Sequence, residues 1–498
     1  MSFRVKEWGA FLIIFFCFAC SDSVQHLTRS SVASPAEDAL ARLLRDTTIV
    51  SNESLTAWCQ VDDFYTLRNH RLLWHKDEIK TPLADSMIQT IQRLEYMGLS
   101  PDDYHLDRIH GLAFRLANSR PDPESLAHLD LLLTDALFSV ASHLRYGRII
   151  PDSTGWKERS VESDSVIFNT LVRAISRNSL SQGLYSLEPQ FAAYHALRSA
   201  LRTKLDSLKS PGLFSGEEQL RKEIAGLSLS MEQWRWERSD PASRYILVNI
   251  PAYRLTLVDS DSLEFESRVI VGTPYFPTPV LDGKISNFIV YPTWNVPRGI
   301  ATRELLPKIK NDSAYLDIHS YHVLDVKGNA VHPDSVEWAT LGVNYFPYLI
   351  RQAPGPFNAL GLLKFNFVND YNIYLHDTNA KGLFNTNYRA LSHGCIRIER
   401  ALELARHMVS RENPYCSPRD FDRFMREELN RQVSLVPVDL RIRYIACDTQ
   451  ADGQVVCHPD IYGRNAKIQE ALNCRGSRQR VLVAKNIVQH SGQSDACL

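Results

Sequence analysis

The sequence predicts an α+β protein: an all-helical N-terminal domain, then a mostly β domain with an inserted lid subdomain. Three observations carry this. The chain has 498 residues, too many for one hydrophobic core. Apolar residues recur at helical spacing as far as Trp236 and at strand spacing from Tyr245 onward. A polar, partly helical stretch over about 300–344 then interrupts the strands, too long for a connector inside a compact β domain. Hydrophobic residues make up 44% and charged residues 23%, as in a globular protein. The formal net charge of −1 gives no global pull toward nucleic acid, and no nucleic-acid partner is expected.

Residues 1–20 read as an export signal. Arg4 and Lys6 precede an apolar run over 11–20, too short to span a membrane as a mature helix. Ala19-Cys20-Ser21 resembles the bacterial lipoprotein processing site, although Cys17 and Phe18 depart from its usual residues. Cys20 would then be the lipid-bearing first residue, and the protein would sit in the cell envelope, on the periplasmic side, anchored to a membrane. The plainer alternative is a cleaved signal in which Cys20 is incidental. Residues 21–37 are small and polar, a tether.

Residues 38–236 form the helical domain. Thr81-Pro82 supplies an N-cap and a first-turn proline, Leu83, Met87, Ile88, Ile91 and Leu94 follow at helical spacing, and Gly98 closes the helix. A second stripe runs from Leu129 to Leu144 and ends before Gly147; a third runs from Phe191 to Leu205. Residues 237–470 form the β domain. Strands are expected over 245–250, 254–258, 267–272 and 288–291, then, after the lid, over 371–375 and 394–398. Residues 401–430 read as helix, 434–444 and 454–457 as late strands, and 471–498 as a tail of little pattern.

In an exported protein, extra cysteines tend to pair. Cys447 and Cys457 flank Asp452-Gly453, a hairpin turn signal, and a disulfide between them is expected. A one-residue slip would put them on opposite faces. Zinc competes, since His458 adjoins Cys457, but no CxxC pair or HExxH supports it, so no metal and no cofactor are expected. Cys59, Cys416, Cys474 and Cys497 stay unassigned.

The chemistry lies in Ser392-His393-Gly394-Cys395-Ile396-Arg397 and, upstream, Tyr374-Leu375-His376-Asp377-Thr378. A thiolate attacks carbonyls well and a thiol does not, so a nucleophilic Cys395 needs a base. His376, at the end of an apolar strand, is the preferred base; His393 is the rival, expected to point away from the thiol. Gly394 permits a tight backbone, and the N–H groups of Gly394 and Cys395 are candidates for an oxyanion hole. Arg397 either pairs with a substrate carboxylate or braces the loop through backbone carbonyls. Tyr374 either lines the donor site or packs, and Ser392 orients His376 or the loop. Asp377 and Thr378 fit local turn bonds better than substrate contacts. The competing reading is a buried Cys and a satisfied His. Two motifs, each ending a strand among small and polar residues, argue against it.

These motifs resemble the L,D-transpeptidase (YkuD-type) catalytic domain, and in particular the large multidomain Gram-negative members with a scaffold domain. Arg351 to Gly361, Val248 to Pro251, Thr278-Pro279-Val280, Trp294 to Pro297 and Asp460 to Gly463 extend the likeness through the β half. Leu73-Trp74, Gly98 to Tyr104 and His143 to Arg148 extend it into the helical half. One departure stands out. Large relatives carry a peptidoglycan-binding module between segments like Tyr194-His195-Ala196-Leu197 and Glu232 to Trp236, and here that stretch is too short for a domain with its own core.

The resemblance implies a peptidoglycan L,D-transpeptidase. Cys395 would attack a donor tetrapeptide stem, D-alanine would leave, and the thioester would pass to an amine of an acceptor stem as a 3→3 crosslink. Carbapenems would acylate it. Gly394 would serve the oxyanion, and Arg397, Tyr374, His393 and Ser392 the substrate. Two alternatives stay open. The first is an L,D-carboxypeptidase, or an enzyme attaching proteins to peptidoglycan or detaching them; the second is a non-catalytic envelope scaffold. A papain-like protease is disfavoured, because there the Cys precedes the His.

Overall fold

A computed structural model describes residues 33–46, 48–152, 155–162, 164–210, 216–237, 243–410, 413–450 and 454–473. The export signal with Cys20, most of the tether, Asp452-Gly453, Cys474 and Cys497 lie outside these residues.

The helical half is built round one helix, Pro123–Tyr146. Asp122 caps it by accepting from the Ser125 N–H, and Pro123 sits in the first turn, where a missing N–H costs nothing. The helix is apolar on all sides because it is enclosed; 94% of its most apolar window is buried inside the protein. Its buried carboxylates fasten neighbouring loops. Asp130 accepts from the Leu73 and Trp74 N–H groups at 2.9 Å, and Asp135 from those of Thr56 and Ala57. Helix Pro35–Arg45, opened by a Ser34–Glu37 capping box, packs against it. The first residues of this helix thus belong to the stretch assigned to the tether. Two short ribbons, His75–Lys76 with Ile79–Lys80 and Ile149–Asp152 with Gly155–Glu158, make this half less purely helical than expected.

Helices Ala192–Lys209 and Glu217–Arg235 lie against each other, joined by residues 210–216. Phe191, Leu197, Leu227 and Trp234 share one core with Tyr245, Ile445 and Ile468 of the β half. The boundary near 236 divides the chain without dividing that core.

The β half is a nine-stranded sheet. In chain order its strands are β1 (Tyr245–Asn249), β2 (Arg254–Asp259), β3 (Ser262–Gly272), β4 (Leu281–Val290), β5 (Leu363–Asn366), β6 (Leu375–His376), β7 (Ala390–Ser392), β8 (Ile396–Ile398) and β9 (Arg431–Arg443). Their spatial order is β7-β3-β8-β6-β5-β4-β9-β1-β2, and β2 pairs back onto β3, which closes the ring. Phe288, Leu363, Phe365, Leu375, Ile396 and Ile398 form its core with Leu404 and Met408 of helix Ala401–Ser410.

Two strands are shorter than expected. Of 371–375 only Leu375 pairs, with His376 continuing the strand, because Asn369 draws the preceding segment into a loop by accepting from the Tyr371 and Ile373 N–H groups. His376 therefore lies within a strand rather than after one. The strand expected from 394 begins at Ile396, since Gly394 has φ +107°, outside any strand conformation.

The insertion holds a four-stranded sheet of Trp294–Asn295, Tyr321–Leu324, Ala330–Val331 and Leu349–Gln352 over its own core, which includes Leu305, Ile309, Val323 and Ile350. It is wider than 300–344. Near the C-terminus, Cys447–Thr449 pairs with Val455–Cys457, which sets Cys447 opposite Cys457 in a disulfide. The disulfide rests on Gly226 of helix Glu217–Arg235, where a Cβ would come within 2.8 Å of the Cys447 sulfur. Helix Arg464–Asn473 runs past the expected start of the tail.

Candidate active site

β6 and β8 are parallel neighbours, with Leu375 opposite Ile396 and His376 opposite Arg397. Successive side chains on a strand point to opposite faces. Leu375 and Ile396 are fully buried in the core, so Tyr374, His376, Cys395 and Arg397 share the other face. The Ile396 N–H donates to the Tyr374 carbonyl at 3.1 Å, which brings Tyr374 alongside Cys395. From the far side, Lys364 of β5 pairs with His376. Lys364, His376 and Arg397 thus form a row across three strands, with Tyr374 and Cys395 as the next row.

Burial, then the Arg397 and Lys364 charges, push the His376 imidazole down to about 3. The Asp377 backbone carbonyl favours the charged ring without reaching hydrogen-bond geometry, and Nδ1 has no partner among the described residues. Burial raises the Cys395 thiol; the Tyr374 backbone N–H and phenol, Lys364 and Arg397 oppose that rise. The pair at rest is a thiol and a neutral imidazole, a base in the right form to take a proton during attack.

Residues 243–416 match the family model of the L,D-transpeptidase catalytic domain, YkuD, and residues 60–201 match that of the Scaffold domain. The chain carries an L,D-transpeptidase catalytic domain. A Haemophilus influenzae (strain Rd) protein named provisionally as an L,D-transpeptidase is 40% identical over 226 residues, 45% of this chain and 45% of that protein. The match spans less than half the length of this curated relative.

In the L,D-transpeptidase domain, Ser392 lies inside the nucleophile turn. It is buried, accepts from the Gly394 N–H at 3.2 Å and donates to the Cys395 carbonyl at 2.6 Å, so it ties the turn to itself. The same bond turns the Gly394 N–H, a candidate for the oxyanion, toward Ser392. The Gly394 carbonyl is held in turn by Thr278, which donates to it at 2.8 Å while accepting from the Gly272 N–H. Tyr462 donates to the Gly272 carbonyl at 2.5 Å. A Cβ on Gly272 would meet the Gly394 Cα at 3.0 Å and the Phe276 carbonyl at 2.1 Å. The nucleophile turn is therefore packed against bare backbone.

His393 leaves the shared face. Its Nε2 meets Glu304 of the inserted subdomain at 2.6 Å, and its ring lies 5.1 Å from that of Phe276. Arg397 makes no hydrogen bond to any described residue, and its Nε is buried without a partner. No carbonyl of a described residue braces it. Thr378 accepts from the Ala380 N–H, the local turn bond expected, whereas Asp377 reaches beyond its turn: it accepts from the Leu362 N–H at 2.9 Å and pairs with Lys381. Arg351 donates to Asn295, its partner on the neighbouring strand, and Asn358 shapes a loop by donating to the Pro292 and Ala353 carbonyls.

Sequence reasoning missed Lys364, Thr278 and Glu304. Lys364 lies between core residues Leu363 and Phe365, and only the register with His376 reveals which face it joins. Thr278 was visible within a family-like segment, with no sign that its hydroxyl bridges to Gly394.

Proposed function

We propose that the protein is a peptidoglycan L,D-transpeptidase forming 3→3 crosslinks. Cys395 and His376 on one face of two adjacent strands, in a domain of this family, support the reading most. As Cys395 Sγ bonds to the donor carbonyl carbon of a tetrapeptide stem, its proton passes to His376. Collapse of the tetrahedral adduct breaks the C–N bond to D-alanine, and the amine leaves with that proton. An acceptor amine, such as the side-chain amine of a diaminopimelate on a second stem, then attacks the thioester, giving its proton to His376. The new amide forms and the thiol is restored. Arg397 suits a stem carboxylate, and Tyr374 lines the approach.

Water as acceptor would instead give an L,D-carboxypeptidase. Mass analysis of stem products separates the two: a 3→3 dimer with released D-alanine supports crosslinking, while tripeptide monomer alone would sink it. The leader motif around Cys20 supports placement at the periplasmic side of a membrane, and the inserted subdomain, touching His393 through Glu304, suits a lid over the cleft.

A further inference from the structure

Lys364 is a half-buried cation with no ion pair and no hydrogen bond among the described residues, although removing an ammonium from water is costly unless something repays it. Its Nζ lies 4.1 Å from the Tyr374 ring centroid, the nearest cation–π contact made by a lysine among the described residues. The register with His376 fixes Lys364 on the face that carries Cys395. The bond from the Ile396 N–H to the Tyr374 carbonyl sets Tyr374 beside Cys395 on that same face, so the ring that Lys364 covers adjoins the thiol.

We propose that Lys364 is a positioning residue for acylation: its ammonium, seated on the Tyr374 ring, polarises the phenol and holds it toward the Cys395 sulfur as negative charge develops there. A cation on a phenol ring draws electron density from the oxygen, which makes the O–H a better donor. With the Gly394 N–H committed to Ser392, the site has reason to recruit such a donor elsewhere. The charged and titratable groups around the thiol are Lys364 on β5, Tyr374 and His376 at β6, and Arg397 on β8, with His393 and Glu304 paired at the rim. The proposal rests on Cys395 being the nucleophile and adds a residue outside the two motifs.

The test is the pH dependence of Cys395 alkylation by iodoacetamide in the full chain, read by mass at the Cys395 peptide. Lys364→Gln should move the midpoint up by about half a unit or more, roughly threefold slower alkylation at pH 8, and slow meropenem acylation. Lys364→Arg should keep both near wild type. Tyr374→Phe should move the midpoint the same way, and adding Lys364→Gln to it should move it little further. An unchanged midpoint in folded Lys364→Gln, or full additivity with Tyr374→Phe, overturns the proposal. Should Lys364→Gln lose the wild-type thermal transition, an unchanged midpoint in Tyr374→Phe alone overturns it. A wild-type mass unmoved by meropenem would instead sink the transpeptidase reading and leave the midpoint result standing.

Discussion

His376 is kept neutral by burial, by Arg397 and by Lys364, all opposing a proton on the ring, while burial keeps Cys395 as a thiol. Alkylation of Cys395 should therefore rise with pH toward and beyond 9, without the shoulder near pH 6–7 that a thiolate–imidazolium pair would give; stopped alkylation with peptide mass readout checks this. Ser392→Ala removes both bonds that tie the nucleophile turn. It should cost about 1–3 kcal/mol in guanidinium unfolding and slow acylation. That Cys395 and His376 come together at one site was legible in the sequence, because small and polar residues flanked both. The bonds of Ser392 and Gly394 were not, because one hydroxyl two residues upstream decides where an N–H points.

Strand boundaries show a second limit. Asn369 shortens the strand before His376 and Gly394 shortens the one after Cys395, and both effects belong to side-chain hydrogen bonding and backbone φ rather than to apolar spacing. The Cys447–Cys457 pairing was legible, since ten residues around a turn signal set the two strands opposite each other. Its place on Gly226 was not, because that contact joins distant parts of the chain. Replacing both cysteines by Ala should cost about 2–4 kcal/mol, read from the shift in denaturant midpoint. Gly226→Val should cost about 1–3 kcal/mol by overfilling the space against the Cys447 sulfur.

The helical and β halves share a core through Phe191, Trp234, Tyr245 and Ile445, a union that apolar periodicity within each half could not reveal. Each half also buries a neutral histidine: His376, and His143, which burial, Arg148, Arg235 and Arg159 push down to about 3 while Tyr104 bonds its Nδ1. The unfolded chain binds those protons below about pH 6.5 and the folded chain does not, so stability present above 6.5 should fall as pH drops toward 3. Guanidinium midpoints at pH 7.5 and 5 check the sign. The central claim, that Cys395 is the nucleophile and His376 its base, meets its most direct test in intact mass after incubation with meropenem. The account predicts one added meropenem on wild type, none on Cys395→Ala, and acylation slowed about a hundredfold or more in His376→Ala. An unmodified wild type, or a Cys395→Ala protein acylated as fast as wild type, would contradict it.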